Sequence, residues 1–237
     1  VICGDKMRVV LNPVKSKTGT ANFAVLNTTT KDIVILLTKE QTKAIHSIKT
    51  KQPFEELLTK LIALKEFKGT KDQFSIVHTQ DKILPKRMFV IGLGKEKELT
   101  VEHVRRAVSH MVNKAKSIQL QHFSISLAVP HLSPMETVKG AAEGILLSNH
   151  RFNKYKTKNE TKPIESITLI PGTTEQFEQQ SKVLEETLPL IEAVNFTKDL
   201  QIDSAHVVTP QHLEHVAKQL AKDHKLKITV FDEKELK

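Results

Sequence analysis

Short, uninterrupted apolar runs alternate along this chain with amphipathic stretches of helical length, and no other feature of the sequence narrows the fold as much. Residues 33–37 and 88–91 are continuous apolar runs and 167–170 is one broken only at Thr168, the pattern of strands covered on both faces. Phe123, Ile125, Leu127 and Val129 alternate instead, which predicts a half-buried strand. Between these runs Phe54, Leu57, Leu58, Leu61 and Ile62 recur at helical spacing, with Pro53 in the permissive first turn and Gly69 beyond the end as a stop. A second stripe, Val101, Val104, Val108, Met111, Val112 and Ala115, is entered through Thr100 as an N-cap. A third helix is predicted over about 135–149, through Met135, Val138, Ala142, Ile145 and Leu146. Strands alternating with helices of this length specify an α/β domain with a mixed, largely parallel sheet flanked by helices.

After Pro171 and Gly172 the character changes to a long acidic stretch with helical spacing of Phe177, Leu184, Leu188, Ile191 and Val194. Pro189 is expected to kink or restart that helix, because its ring removes a hydrogen bond and crowds the preceding turn. Thr209 then caps a helix with Pro210 at its first position and a predicted buried stripe of Leu213, Val216, Ala217, Leu220 and Ala221. A strand is predicted at Ile228, Thr229, Val230 and Phe231. Asp232 and Glu235 have the spacing of a capping arrangement that opens a further helix, of which one turn remains. One helix and one strand cannot enclose a core, so the expectation is a domain that continues past Lys237. The resulting division is an α/β domain over 1–172, a linker helix over 173–203 and the truncated start of a second α/β domain over 204–237.

Composition excludes some classes and leaves others open. Hydrophobic residues at 39% and charged residues at 27% lie near the globular norm, so the chain has the material for a core. No run approaches the roughly 18 apolar residues of a membrane span, and Asp5, Lys6 and Arg8 interrupt any signal-peptide core, so a cytoplasmic protein is expected. The single cysteine, Cys3, can form neither an internal disulfide nor a multi-cysteine zinc site, which suits a reducing compartment. Val1 stands where a methionine is usual, which points to processing or an imposed boundary. The net charge of +9 is uneven: residues 173–203 carry −5, residues 204–237 carry +1, and the excess of +13 falls on 1–172. Its densest run, 151–163, contains Phe152 and Tyr155, the ingredients of a nucleic-acid stacking surface. A solvated lysine-rich loop explains the same residues more simply.

Four segments, in order, resemble the leucyl (cytosol-type) aminopeptidase family. Residues 54–100 resemble a helix, turn and strand leading to the family's "VLLVGLGKxxELT", matched here by Phe89, Val90, Ile91, Gly92, Leu93, Gly94 and Lys95 with Glu98, Leu99 and Thr100 after them. Phe152, Tyr155, Lys156, Thr157 and Lys158 match "ExxxLxxYxFDxYKTK". Residues 192–200 are similar to "EGVNLARDL", and 207–237 to the "TPxxLAxxAxxLAxxxGLKVxVLDEKEL" that follows it. Between these two the family carries a segment such as "VNTPSN", where this chain has residues 201–206, reading QIDSAH. Losing that asparagine and proline removes two turn-fixing residues, so a reshaped entrance to the catalytic domain is expected.

The resemblance implies a macro-domain-like accessory domain, a connecting helix and the start of a metallopeptidase domain. Family members hold two divalent metals, zinc or manganese, through "VGKGxxFDSGG" and "NTDAEGR" motifs, which stabilise the attacking and leaving groups of peptide hydrolysis. Neither motif occurs in this chain, so it is expected to contain no catalytic, cofactor-binding or metal-binding residue, and its implied partner is the rest of the catalytic domain. The resemblance also implies homo-hexamers assembled through the catalytic domains, while this portion alone is expected to be monomeric.

Some constellations need weighing within the chain itself. Gly92, Leu93, Gly94 and Lys95 follow a strand and precede a helix, where backbone amides can cradle phosphate, but the third glycine of a dinucleotide fingerprint and the Ser/Thr of a P-loop are missing. A structural turn is the favoured reading, and nucleotide binding of the ADP-ribose kind is the alternative that the macro-domain likeness implies. His212 and His215 share a helix side but lack a third ligand nearby. His103, His110, His122, His131, His150 and His224 show no ligand-like clustering. Glu143 has no partner in the sequence for a general-base role, and a local ion pair is expected of it.

Overall fold

The computed structural model of the chain describes residues 2–3, 7–12, 30–47, 53–157, 163–171, 177–231 and 234–235. These fall into two compact units, Val1–Ala193 and Val194–Lys237. In the first, β1 (Ile2–Cys3), β2 (Met7–Leu11), β3 (Asp32–Thr38), β4 (Phe74–His78), β5 (Arg87–Gly94), β6 (His122–Leu127) and β7 (Ser166–Pro171) form one sheet in the order β1-β2-β7-β6-β3-β5-β4. The five inner strands are parallel, and β1 and β4 close the two edges antiparallel. This is the mixed, largely parallel sheet that the alternating sequence pattern predicts.

Helices cover both faces. Val34, Leu36, Phe89, Ile91, Leu93, Phe123, Ile125, Ile167 and Leu169 join one core with the buried sides of α3 (Val101–Ser117), α4 (Pro134–Asn149) and the first half of α5 (Phe177–Ile202). The residues between them, Ile33, Ile35, Leu37, Met88 and Val90, face α1 (Lys39–Ser47) and α2 (Pro53–Ala63) in a smaller core with Phe54, Leu57, Leu58, Leu61 and Phe67. Strands buried on both sides need apolar residues at every position, which is why β3 and β5 read as continuous runs. Asp32 and Arg87, opposite one another at the start of β3 and β5, pin that register with a two-pronged ion pair at 2.6 and 3.0 Å.

Several local expectations change. The strand through Phe123 is covered on both faces and not half-buried: Ser124 and Ser126, the residues between its apolar positions, are buried as well. Small hydroxyl side chains can be buried there because they find partners, as Ser124 does with the Thr30 hydroxyl at 2.7 Å. The stop of α2 is Lys65, which takes the left-handed conformation at φ 59°, and not Gly69, which turns the chain again at φ 67°. Thr100 occupies the N-cap of α3, but its hydroxyl pairs with His103 Nδ1 at 2.9 Å and caps no backbone amide. Ser133, in contrast, forms a full capping box with Glu136 at the start of α4.

α4 lies close against α3 because Gly140 and Gly144 present no side chains. A Cβ on Gly144 would sit 2.5 Å from the Arg105 carbonyl oxygen. Pro189 neither ends nor restarts α5, which runs unbroken through it. The proline is exposed, so the carbonyl it deprives of a donor can turn to water.

The second unit contains the end of α5 and α6 (Pro210–Asp223). Thr209 caps α6 as predicted, accepting from the His212 amide at 3.2 Å, and Pro210 opens it. Its predicted buried stripe is not buried: of Leu213, Val216, Ala217, Leu220 and Ala221, only Ala221 is enclosed. Residues 226–231 form no strand and share a hydrogen-bonded ladder with none among the described residues. The expected helix start at Asp232 falls outside the described residues.

Candidate functional site at the strand ends

In a parallel α/β sheet, ligands bind beyond the carboxyl ends of strands whose connections leave toward opposite faces. Here that place is the end of β3, whose chain passes to α1 on one face, while its neighbours β5 and β6 pass to α3 and α4 on the other. The crevice is occupied by the protein's own side chains. Thr38 and Gln41 exchange two hydrogen bonds: the Thr38 amide donates to Gln41 Oε1 at 3.0 Å and the Gln41 amide to Thr38 Oγ1 at 3.1 Å. Gln41 Nε2 reaches across to the Ala128 carbonyl, and the Thr38 hydroxyl donates to Glu96, each at 3.4 Å. Glu40 accepts from the Glu96 amide at 2.9 Å, and that hydrogen bond is the chief reason its carboxyl titrates below the usual range. His131 Nε2 closes the far side, 2.6 Å from Glu96.

This network is chemically committed. Two carboxylates, Glu40 and Glu96, line this crevice, and their like charge would repel an anion placed between them. The glycine loop is spent in the same way. The Gly92 amide donates to the Gln73 carbonyl at 2.8 Å and the Gly94 amide to the Gly69 carbonyl at 3.0 Å, so neither is left for an anion. Gly92 is required because residues 69–70 press on it: a Cβ there would lie 2.0 Å from the Thr70 carbonyl oxygen. Gly94, at φ 88°, follows an irregularity in which the pairing of β3 with β5 skips Leu93. Lys95 turns to Glu98 at 2.7 Å, and that bond raises its pKa. The structural-turn reading of the loop accounts for every one of these contacts.

The remaining sequence candidates lie on separate elements or bond to residues other than those proposed. His212 is half-buried and His215 exposed on α6. His122 bonds the Ser166 hydroxyl at 2.8 Å. Glu143 accepts from Arg105 Nε at 2.7 Å, the ion pair expected of it, and burial is the largest influence on that arginine, outweighed by its acidic partners. Phe152 and Tyr155 meet edge-on with centroids 5.9 Å apart, and Lys154 sits over Tyr155 at 5.5 Å, so the aromatics of the basic run pack on one another. Among the described residues no three His, Cys, Asp or Glu side chains converge to hold a metal ion.

Sequence reading missed α1, in which Thr42 and Ile45 are the buried side chains among those described, too few to leave an apolar period, and with it Glu40 and Gln41 of the strand-end network. The polar spacing at the end of β3 carried no signal, because its partners lie 58 and 87 residues away.

Comparison with known proteins identifies the lineage. The family model described as "Cytosol aminopeptidase family, N-terminal domain" matches residues 33–159, more than half of the chain. A probable cytosol aminopeptidase of Geobacter sp. (strain M21) is 30% identical over 76% of this chain and 36% of its own length. One from Clostridium perfringens (strain 13 / Type A) is 30% identical over 79% of this chain and 39% of its own. The chain thus spans well under half the length of these curated relatives. Among solved structures, a point mutant of tomato leucine aminopeptidase superposes with a TM-score of 0.74 at 18% identity, covering 98% of this chain and 46% of that one. The bottromycin maturation enzyme BotP in complex with Mn gives 0.64 at 17% identity, over 87% of this chain and 39% of that one. With the sheet order, the glycine turn and the family match in agreement, the chain belongs to the cytosol aminopeptidase family and carries its N-terminal domain.

Proposed function

We propose that this chain is the non-catalytic front portion of a two-metal leucyl-type aminopeptidase that releases N-terminal amino acids from peptides. In this reading residues 1–172 are an accessory and scaffold domain, 173–203 a linker helix and 204–237 the beginning of the catalytic domain. The observation that carries it is the apolar surface of the second unit: Leu213, Leu220, Leu226, Ile228 and Phe231 are all exposed, with Phe231 at 62%. Apolar side chains so concentrated mark a face made to be covered, and further chain of the same catalytic domain is the covering that the family supplies. The zinc or manganese pair, the catalytic base and the hexamer contacts would belong to that further chain, and the whole enzyme would work in the cytoplasm. No helix among the described residues is long and apolar enough to cross a membrane.

The test is hydrolysis of a leucyl amide with added manganese or zinc. The 237-residue chain should release no leucine, and a longer chain that adds a segment with the two metal motifs should release it. Metal-dependent turnover by the 237-residue chain itself would overturn the proposal. The nucleotide alternative finds no support in the carboxylate-lined strand ends, and calorimetric titration with ADP-ribose should give a flat trace.

A further inference from the structure

A cavity of about 620 Å³ adjoins the strand-end network through Thr42, which bonds the Thr38 carbonyl, and lies between the start of α1, the last turn of α2 and the turn that follows it. Its lining is Lys39, Thr42, Lys43, Ile62, Lys65, Phe67, Lys68 and Thr70. Four of these eight residues are lysines, and among the described residues no acid lines it. The volume is that of a small-molecule site.

The walls are fixed and the rim is charged. Lys65 at φ 59° and Gly69 at φ 67° bend the 64–70 segment back toward α1. The Gln73 carboxamide clamps that bend: its Oε1 accepts from the Lys68 amide at 2.8 Å and the Thr70 hydroxyl at 3.1 Å, and its Nε2 donates to the Glu66 carbonyl at 2.9 Å. Phe67, 1% exposed, and the partly buried Ile62 supply an apolar wall continuous with the smaller core. Both threonine hydroxyls already donate their protons, Thr42 to the Thr38 carbonyl and Thr70 to Gln73. Donors for a ligand therefore come from the ammonium groups. Glu40 attracts Lys39 and Lys43 by charge, but its carboxylate is held at the strand ends by the Glu96 amide. Lys65 and Lys68 form no ion pair among the described residues.

From this arrangement we propose that the cavity is a binding site for a small organic phosphate, its dianionic head held by the lysines and its apolar body against Phe67 and Ile62. Four lysines bordering one cavity favour a ligand with more than one negative charge, and the apolar wall favours one that is not bare phosphate. The site is independent of peptide hydrolysis and of the proposed enzyme assignment.

Phenyl phosphate is the probe, titrated into the labelled 237-residue chain while amide resonances are followed by NMR, with inorganic phosphate in a parallel arm. Saturable shifts are expected at Thr42, Phe67, Lys68 and Thr70, with phenyl phosphate the tighter ligand by about tenfold. The K65E/K68E double variant alters two exposed side chains, so its spectrum should remain that of a folded protein while binding weakens at least about tenfold. Absence of saturable shifts below about 10 mM, binding unchanged in the folded double variant, or equal affinity for inorganic phosphate would each overturn the proposal.

Discussion

Helices α3 and α6 carry nearly the same amphipathic pattern and end in opposite situations. Each begins at a threonine N-cap, each has an apolar stripe at helical spacing and each closes with lysine in its last turn. In α3 the stripe of Val104, Val108, Met111 and Val112 is fully enclosed between β5 and α4. In α6, Leu213 is 47% exposed and Leu220 is 38% exposed. The difference teaches that amphipathicity states which side a helix must cover and is silent on whether the cover is present. Burying each large apolar side chain of α3 contributes roughly 1.5–3 kcal/mol. The same groups on α6 contribute only a fraction of that until something lies over them.

The comparison breaks most readily by charge insertion. Val108→Asp places a carboxylate in a closed apolar core and should cost the first unit about 4 kcal/mol or more, enough to lose its cooperative thermal transition. Leu213→Asp on α6 should shift that transition by less than about 0.5 kcal/mol. Equal damage from both, measured by calorimetry, would mean that α6 is covered in solution by part of this chain.

A gentler version uses the caps. Ser133→Ala removes the capping box of α4 and should lower the stability of the sheet unit by about 1 kcal/mol. Thr209→Ala removes a similar bond but should reduce only helical circular dichroism at low temperature, leaving the main transition where it was. A matching fall in the main transition would show that α6 unfolds together with the sheet.

A further way to break the comparison is a pH dependence. Lys116, at the end of α3, donates to the Ser148 carbonyl on α4, and burial, aided by the charge of Arg151, lowers its pKa from 10.5 to about 8. The unfolded chain keeps that proton to higher pH than the native one. The cost of the charged form is therefore fully present below about 8 and relieved as pH rises toward 10.5. Relative to Lys116→Met, the parent protein should gain thermal stability over that interval. A difference between the two that stays constant from about pH 7.5 to about pH 10 would place the amine in water.

Which parts of this protein can be read without its structure follows from how local the cause is. The apolar runs of β3, β5 and β7, the helical stripes of α2, α3 and α4 and the Thr209 cap are set by residues within a few positions of each other, and they appear as expected. β4 and α1 sit half in water, so the apolar signal that would announce them is diluted. Pro189 does not restart α5, because the cost of a proline depends on which way the deprived carbonyl faces, and exposure on α5 removes most of it.

By itself the sequence determined the α/β class, the family and the faces each helix must bury, because hydrophobic period and motif order are properties of the chain. Only the tertiary structure decided that Gly92 serves close packing and Gly94 a positive-φ turn with both amides bonded inside the protein, that Glu40 and Glu96 line the strand-end crevice, and that four lysines spread over residues 39–68 line one cavity. Those outcomes depend on which distant backbone approaches within a few ångströms, and pairwise distance between residues far apart in sequence exists only once the sheet has assembled.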